Sequence, residues 1–68
     1  MLKRTLGMVL RQARAEKGVS LRKLSKQTGI HWMTIHYWEI GRARPNRGHL
    51  AAISNALGIP LIDLLLAE

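Results

Sequence analysis

The chain contains no cysteine and no phenylalanine, only two prolines, and only four acidic residues. Without cysteine there is no disulfide and no thiolate metal site, which permits a reducing compartment. The four acids, Glu16, Glu39, Asp63 and Glu68, are scattered. They supply no paired carboxylates, and the sequence has neither a nucleophile with its base nor a phosphate-cradling glycine loop, so no enzyme signature is present. Fully apolar runs such as Leu64 to Ala67 are far shorter than the roughly twenty residues of a membrane span. No stretch near Met1 has the charged, apolar, then small-residue order of a secretion signal. The expectation is a cytoplasmic protein with no membrane association.

What is present is a hydrophobic fraction of 47% in 68 residues, enough for one core and one domain over residues 1–68. No effector module fits beside it, so any regulation is expected from concentration, competition or a second protein. Eleven basic residues against four acids give a net charge of +7. All eleven lie between Lys3 and Arg47, and arginine outnumbers lysine seven to four. A fork-shaped, permanently charged side chain suits phosphate, so the imbalance points to a polyanionic partner rather than to solubility alone.

Apolar spacing and turn residues divide the chain into helices. Leu2, Leu6, Val9, Leu10 and Ala13 share one helical face that ends near Gly18. Ser20 is placed to cap a second helix with Leu21 and Leu24 inward. Lys23 stands where a complete capping box would have an acid or amide. Thr28-Gly29 interrupts, and a third helix is expected from about Trp32 to Ile40, closed by Gly41. At 100° per residue Trp32, Met33, His36, Tyr37 and Ile40 form one arc, with Thr34, Ile35 and Trp38 opposite. Both arcs are bulky, so periodicity does not say which is buried. A basic loop, Arg42 to Gly48, leads to C-terminal helices over 48–66. The fourth carries Leu50, Ile53 and Leu57. Pro60 opens a fifth from Leu61 to Leu66, whose leucines exceed what one buried face requires.

Two short helices joined by a glycine-containing turn, the second followed by an arginine-rich loop, make a helix-turn-helix over about 20–41. Such a pair puts its second helix into the major groove of duplex DNA while the first crosses the backbone. Ser20-Leu21-Arg22-Lys23-Leu24-Ser25 through Gly29, then Thr34-Ile35, then Glu39-Ile40-Gly41 with Pro45 beyond, resembles the lambdoid repressor and Cro-type helix-turn-helix family, also called the xenobiotic-response-element family. The resemblance runs from about Leu6 to Leu65. It implies an all-α, five-helix, lambda-repressor-like fold with Ile35 and Trp38 in the core and Trp32, Met33, His36 and Tyr37 outward. It also implies that Arg14 and Glu39 form a structural ion pair, expected here to be partly buried and bidentate.

The sequence departs from the family pattern at Leu21, where a phosphate-donating Gln is usual, at Ser25 in place of Ala, at His31 in place of a Ser or Thr cap, and at Trp32 in place of a polar base reader. Base contacts are therefore expected from His31, Trp32, Met33, His36 and Tyr37, weighted to thymine methyls and DNA shape. Phosphate contacts are expected from Ser20, Arg22, Lys23, Thr34, Arg42, Arg44 and Arg47, with Asn46 as a helper and Lys3, Arg4 and Arg11 as further candidates. The three histidines, His31, His36 and His49, are too scattered to read as a metal site and are read instead as surface or capping residues, and no cofactor is expected. The function expected is that of a transcriptional regulator, a repressor, binding a pseudo-palindromic operator in double-stranded DNA as a homodimer through Leu61, Ile62, Leu65 and Leu66. The alternatives are a protein-interaction module such as an antitoxin, using the Trp32 face or the leucine-rich end, and a basic RNA-binding domain.

Overall fold

Thr5 opens the first helix, its hydroxyl accepting the Met8 N–H at 3.2 Å and satisfying one of the donors that every helix start leaves free. In the computed structural model, which describes residues 5–67, α1 spans Leu6–Lys17, α2 Leu21–Thr28, α3 Trp32–Glu39, α4 Arg47–Leu57 and α5 Leu61–Leu66. No strand occurs among the described residues. Leu2, Lys3, Arg4 and Glu68 lie outside them.

Local chemistry sets the boundaries. Gly18 ends α1 with φ of 66°, a left-handed conformation that costs glycine nothing, and its N–H donates to the Ala15 carbonyl at 3.1 Å. Val19 N–H then bonds the Arg14 carbonyl at 3.0 Å. Ser20 accepts from Lys23 N–H at 3.0 Å to start α2. A reciprocal capping box does form, but at α4: Asn46 Oδ1 accepts from His49 N–H at 2.8 Å and His49 Nδ1 accepts from Asn46 N–H at 3.5 Å. That box moves the start of α4 to Arg47, one residue before the expected position. The third helix likewise stops one residue early, with Ile40 as its C-cap.

Helices α2 and α3 have about two turns each and would not persist alone. They are held by one core built from every helix: Leu6 and Leu10 of α1, Leu24 of α2, Ile35 and Trp38 of α3, Leu50, Ile53 and Leu57 of α4 and Leu64 of α5, with Val19 between α1 and α2. Helix α3 packs on α1 and α2, while α4 packs on α1, α2 and α5. The α1–α3 crossing is close enough to forbid a side chain at Gly7. A Cβ there would lie 2.8 Å from the Trp38 carbonyl oxygen and closer still to that of Glu39. Burial of Ile35 and Trp38 settles which arc of α3 faces inward, the point on which periodicity was silent.

Candidate nucleic-acid interface

The turn between α2 and α3 is closed by Thr28. Its hydroxyl donates to the Leu24 carbonyl at 2.8 Å and accepts from Ile30 N–H at 3.2 Å, so one side chain ends α2 and directs the chain toward α3. His31 then serves as N-cap, its Nδ1 accepting from Met33 N–H at 3.1 Å. This cap requires an unprotonated Nδ1, so the ring that replaces the family's usual hydroxyl does the same task through a nitrogen lone pair. The His31 ring also stacks on Trp32, with centroids 5.8 Å apart.

From that start α3 turns Trp32, Met33 and His36 half out and leaves Tyr37 and Ile40 exposed. The His36 and Tyr37 rings lie 6.1 Å apart. Thr34 is half-buried near the helix start. On the inner side Trp38 packs on the His49 ring, centroids 5.0 Å apart, which joins α3 to α4.

The basic loop is tied to α3 rather than free beside it. Gly41 N–H bonds the Trp38 carbonyl at 3.3 Å, and Arg42 and Ala43 N–H groups both bond that of Tyr37, at 2.8 and 3.4 Å. Arg42, Arg44 and Arg47 are exposed, as are Ser20, Arg22 and Lys23 at the start of α2 and Arg11 on α1. Ser20 and Asn46 each accept a cap hydrogen bond on oxygen, and toward a phosphate they would donate the hydroxyl hydrogen and the amide NH2.

Arg14 and Glu39 meet in a bidentate pair, Nε to Oε2 at 2.8 Å and Nη2 to Oε1 at 3.1 Å, while Nη1 donates to the Val19 carbonyl at 3.0 Å. The hydrogen bond to Glu39 chiefly, and its charge in addition, hold the guanidinium pKa above its ordinary value against the opposing effect of burial. Both carboxylate oxygens of Glu39 are thereby committed inside the protein. The Arg14 role follows from family resemblance and a capping role for His49 is among the expectations from sequence, whereas the close approach at Gly7 and the hydrogen bonds of Thr28 are not. A glycine inside an apolar helical repeat was the available signal for Gly7, since such a residue marks close backbone approach.

Among the described residues no group of three His, Cys, Asp or Glu side chains is placed to hold a metal, and no helix is long and apolar enough to cross a membrane. A groove of about 770 Å³ between α1 and α5, lined by Val9, Ala13, Leu57, Ile59 and Leu66 among others, shares no residue with the α2–α3 surface.

A helix-turn-helix family model matches residues 10–64. No curated protein matches the chain. Among solved structures, the solution structure of the DNA-binding domain of the P22 c2 repressor is similar at 29% identity and a TM-score of 0.89, over 96% of this chain and 86% of that one. The P22 c2 repressor crystallised with synthetic operator 9T gives 27% and 0.89, over 97% and 100%. The clp gene regulator ClgR from Corynebacterium glutamicum gives 36% and 0.82, over 90% of this chain and 65% of that one. With a family model that covers most of its length and a fold matching the repressor domain over nearly the whole chain, the chain belongs to the helix-turn-helix family in its lambdoid-repressor-like form.

Proposed function

We propose that this protein is a sequence-specific, double-stranded-DNA-binding transcriptional regulator, a repressor that acts as a homodimer on a pseudo-palindromic operator. It is a binding module, not an enzyme. The observation that carries the reading is the joining of α3 to an arginine loop: three exposed arginines follow the helix, and the loop's amides are anchored on the Tyr37 carbonyl. A helix presenting side chains beside exposed cations matches a groove flanked by phosphates. The P22 c2 repressor, of the same fold, has been crystallised with an operator.

In this reading Trp32, Met33, His36 and Tyr37 meet base edges, with His31 contributing Nε2. Ser20, Arg22, Lys23, Thr34, Arg42, Arg44 and Arg47 meet phosphate. Arg14 and Glu39 hold α3 in place without touching DNA. Leu61, Ile62, Leu65 and Leu66, exposed on α5, form the contact between protomers. Half-sites then lie about 34 Å apart, one turn of the duplex.

Selection from a random duplex library tests this. Enrichment of a palindromic consensus is the expected result. Failure to enrich any duplex, or preferential capture of single-stranded RNA in competition, overturns the reading.

A further inference from the structure

Helices α1 and α5 both pack on α4 but make little contact with each other. The groove of about 770 Å³ left between them joins Val9 and Ala13 of α1 to Leu57 at the end of α4, Ile59 just beyond it and Leu66 of α5. Its lining follows a helical pitch on both sides. On α1 the stripe runs Val9, Ala13, Glu16, and on α5 with its cap it runs Pro60, Asp63, Leu66, each about two turns or ~10 Å long. Walls of that length and pitch match a third helix, which seats apolar anchors at i, i+3 or i+4, and i+7.

Charge selects which helix. The protein carries +7, and all its Lys and Arg precede Gly48. Of the three acids among the described residues, Glu39 is committed to Arg14, whereas Glu16 and Asp63 are both exposed and stand on opposite walls of this groove. Lys17 also lines it, but its ammonium lies against Gly58 at the carbonyl end of α4, 3.3 Å from where a Cβ on that glycine would stand. A helix C-terminus favours a cation there. The groove is therefore apolar along its length with a carboxylate on each side. A second copy of this chain fits it poorly. Its exposed apolar helix, α5, carries Asp63 and no basic residue, so it would set carboxylate against carboxylate.

We propose that the groove between α1 and α5 is the docking site for a basic amphipathic helix of a different protein. Three apolar anchors of that helix lie along Val9, Ala13, Leu57 and Ile59, and its Lys or Arg residues meet Glu16 and Asp63. The site shares no residue with the α2–α3 surface and stands independently of the duplex-reading function.

The test uses the intact protein and a synthetic peptide of about three helical turns, with leucines at i, i+4 and i+7 and lysines on both flanks of that stripe. A cationic peptide is repelled by the +7 body as a whole, so its binding reports a local feature. Saturable shifts are expected in the methyl NMR signals of Val9, Ala13, Leu57 and Ile59. At those methyls a counterpart with glutamate for lysine binds about tenfold more weakly, two attractions at exposed sites having become two repulsions. Glu16→Lys with Asp63→Lys, both outside the core, reverses the preference and leaves thermal unfolding unchanged. The proposal is overturned by absence of saturable binding, by equal binding of a peptide with the same composition in scrambled order, by shifts on α3 or at Ile62 and Leu65 instead, or by a lysine preference that survives in the double variant. Groove methyls that move when the protein alone is concentrated identify a second copy as the occupant, and hexylamine binding as tightly as the peptide identifies a pocket for small organic cations. Either result overturns it as well.

Discussion

Arg14 of α1 grips Glu39 at the end of α3 through two parallel hydrogen bonds of 2.8 and 3.1 Å, and its remaining nitrogen holds the Val19 carbonyl that leads into α2. One guanidinium thus fixes three consecutive helices relative to each other. The Glu39 side chain is 4% exposed and that of Arg14 19%. Arg14→Ala strands a buried carboxylate and is expected to cost about 2–4 kcal/mol, below the full range for buried pairs because the arginine is partly hydrated. The double variant with Glu39→Ala costs less than the sum of the two singles, with a coupling of about 1 kcal/mol or more by urea denaturation. Zero coupling contradicts the structural role.

The same pair has a defined pH signature. The folded guanidinium pKa is raised, chiefly by its hydrogen bond to Glu39. A basic group so shifted gives stability that is complete below its unfolded pKa and is lost only as pH rises through the folded one. The coupling energy should therefore be flat between about pH 6 and pH 9, well under both. A decline across that window, followed by the same cycle at each pH, would place the interaction elsewhere.

Gly7 and Gly48 both sit inside helices, yet substitution should act in opposite directions. A Cβ on Gly7 collides with backbone carbonyls of Trp38 and Glu39, which cannot rotate away. Gly7→Ala then pushes α1 from α3 at a cost of about 1–3 kcal/mol. At Gly48 the nearest atom to a Cβ is Asn46 Oδ1 at 3.4 Å, so Gly48→Ala gains helix propensity of up to about 1 kcal/mol. Thermal unfolding of the two variants distinguishes them by sign alone.

These two glycines also show where the sequence is legible. Helix order, the five elements and most of the core follow from apolar spacing, because Leu50, Ile53 and Leu57, like Leu6 and Leu10, recur at spacings of three and four that put them on one face. Helix α3 is different. Trp32, Met33 and Tyr37 lie on one arc and Ile35 and Trp38 on the other, so hydrophobicity carries no sign, and the inward arc is decided by packing against α1 and α2, with His49 of α4 against Trp38. Sequence leaves His31 and His49 as surface or capping residues without choosing between the two. Histidine is not among the preferred capping residues, and its ring accepts a backbone N–H only when the local turn brings Nδ1 within reach. Arg42 and Arg44 could be placed on a loop from sequence, but the backbone hydrogen bonds that fasten the loop to the Tyr37 carbonyl could not.

Salt dependence measures the phosphate contacts directly. With four or five phosphates neutralised by each protomer, log affinity for a half-site should fall with log salt at a slope near −4. Replacing Arg42, Arg44 or Arg47 singly by alanine should reduce that slope by about 0.9 and weaken all duplexes alike, selected or random. The Met33→Ala change should leave the slope untouched while altering preference among duplexes. Titrations at several salt concentrations with both classes of variant decide this, and an unchanged slope in all three arginine variants removes the loop from the interface.

Neighbouring leucines of α5 should separate folding from assembly. Leu64 is 1% exposed and belongs to the core, whereas Leu65 is 45% and Ile62 57% exposed. Leu64→Ala opens a cavity and should cost about 2–5 kcal/mol. Ile62→Lys with Leu65→Lys removes nothing from the core, so stability should stay within roughly 0.5 kcal/mol of the parent per site. If the exposed face joins protomers, the lysine variant runs as a monomer in sedimentation at concentrations where the parent associates. On the selected operator it fills the two half-sites independently, with single half-site affinity retained. The parent fills both together. A lysine variant that still binds the full operator in one cooperative step means that the face bearing Ile62 and Leu65 is not the contact. The surface that joins two protomers must then be sought elsewhere, the groove between α1 and α5 being the next apolar surface to test.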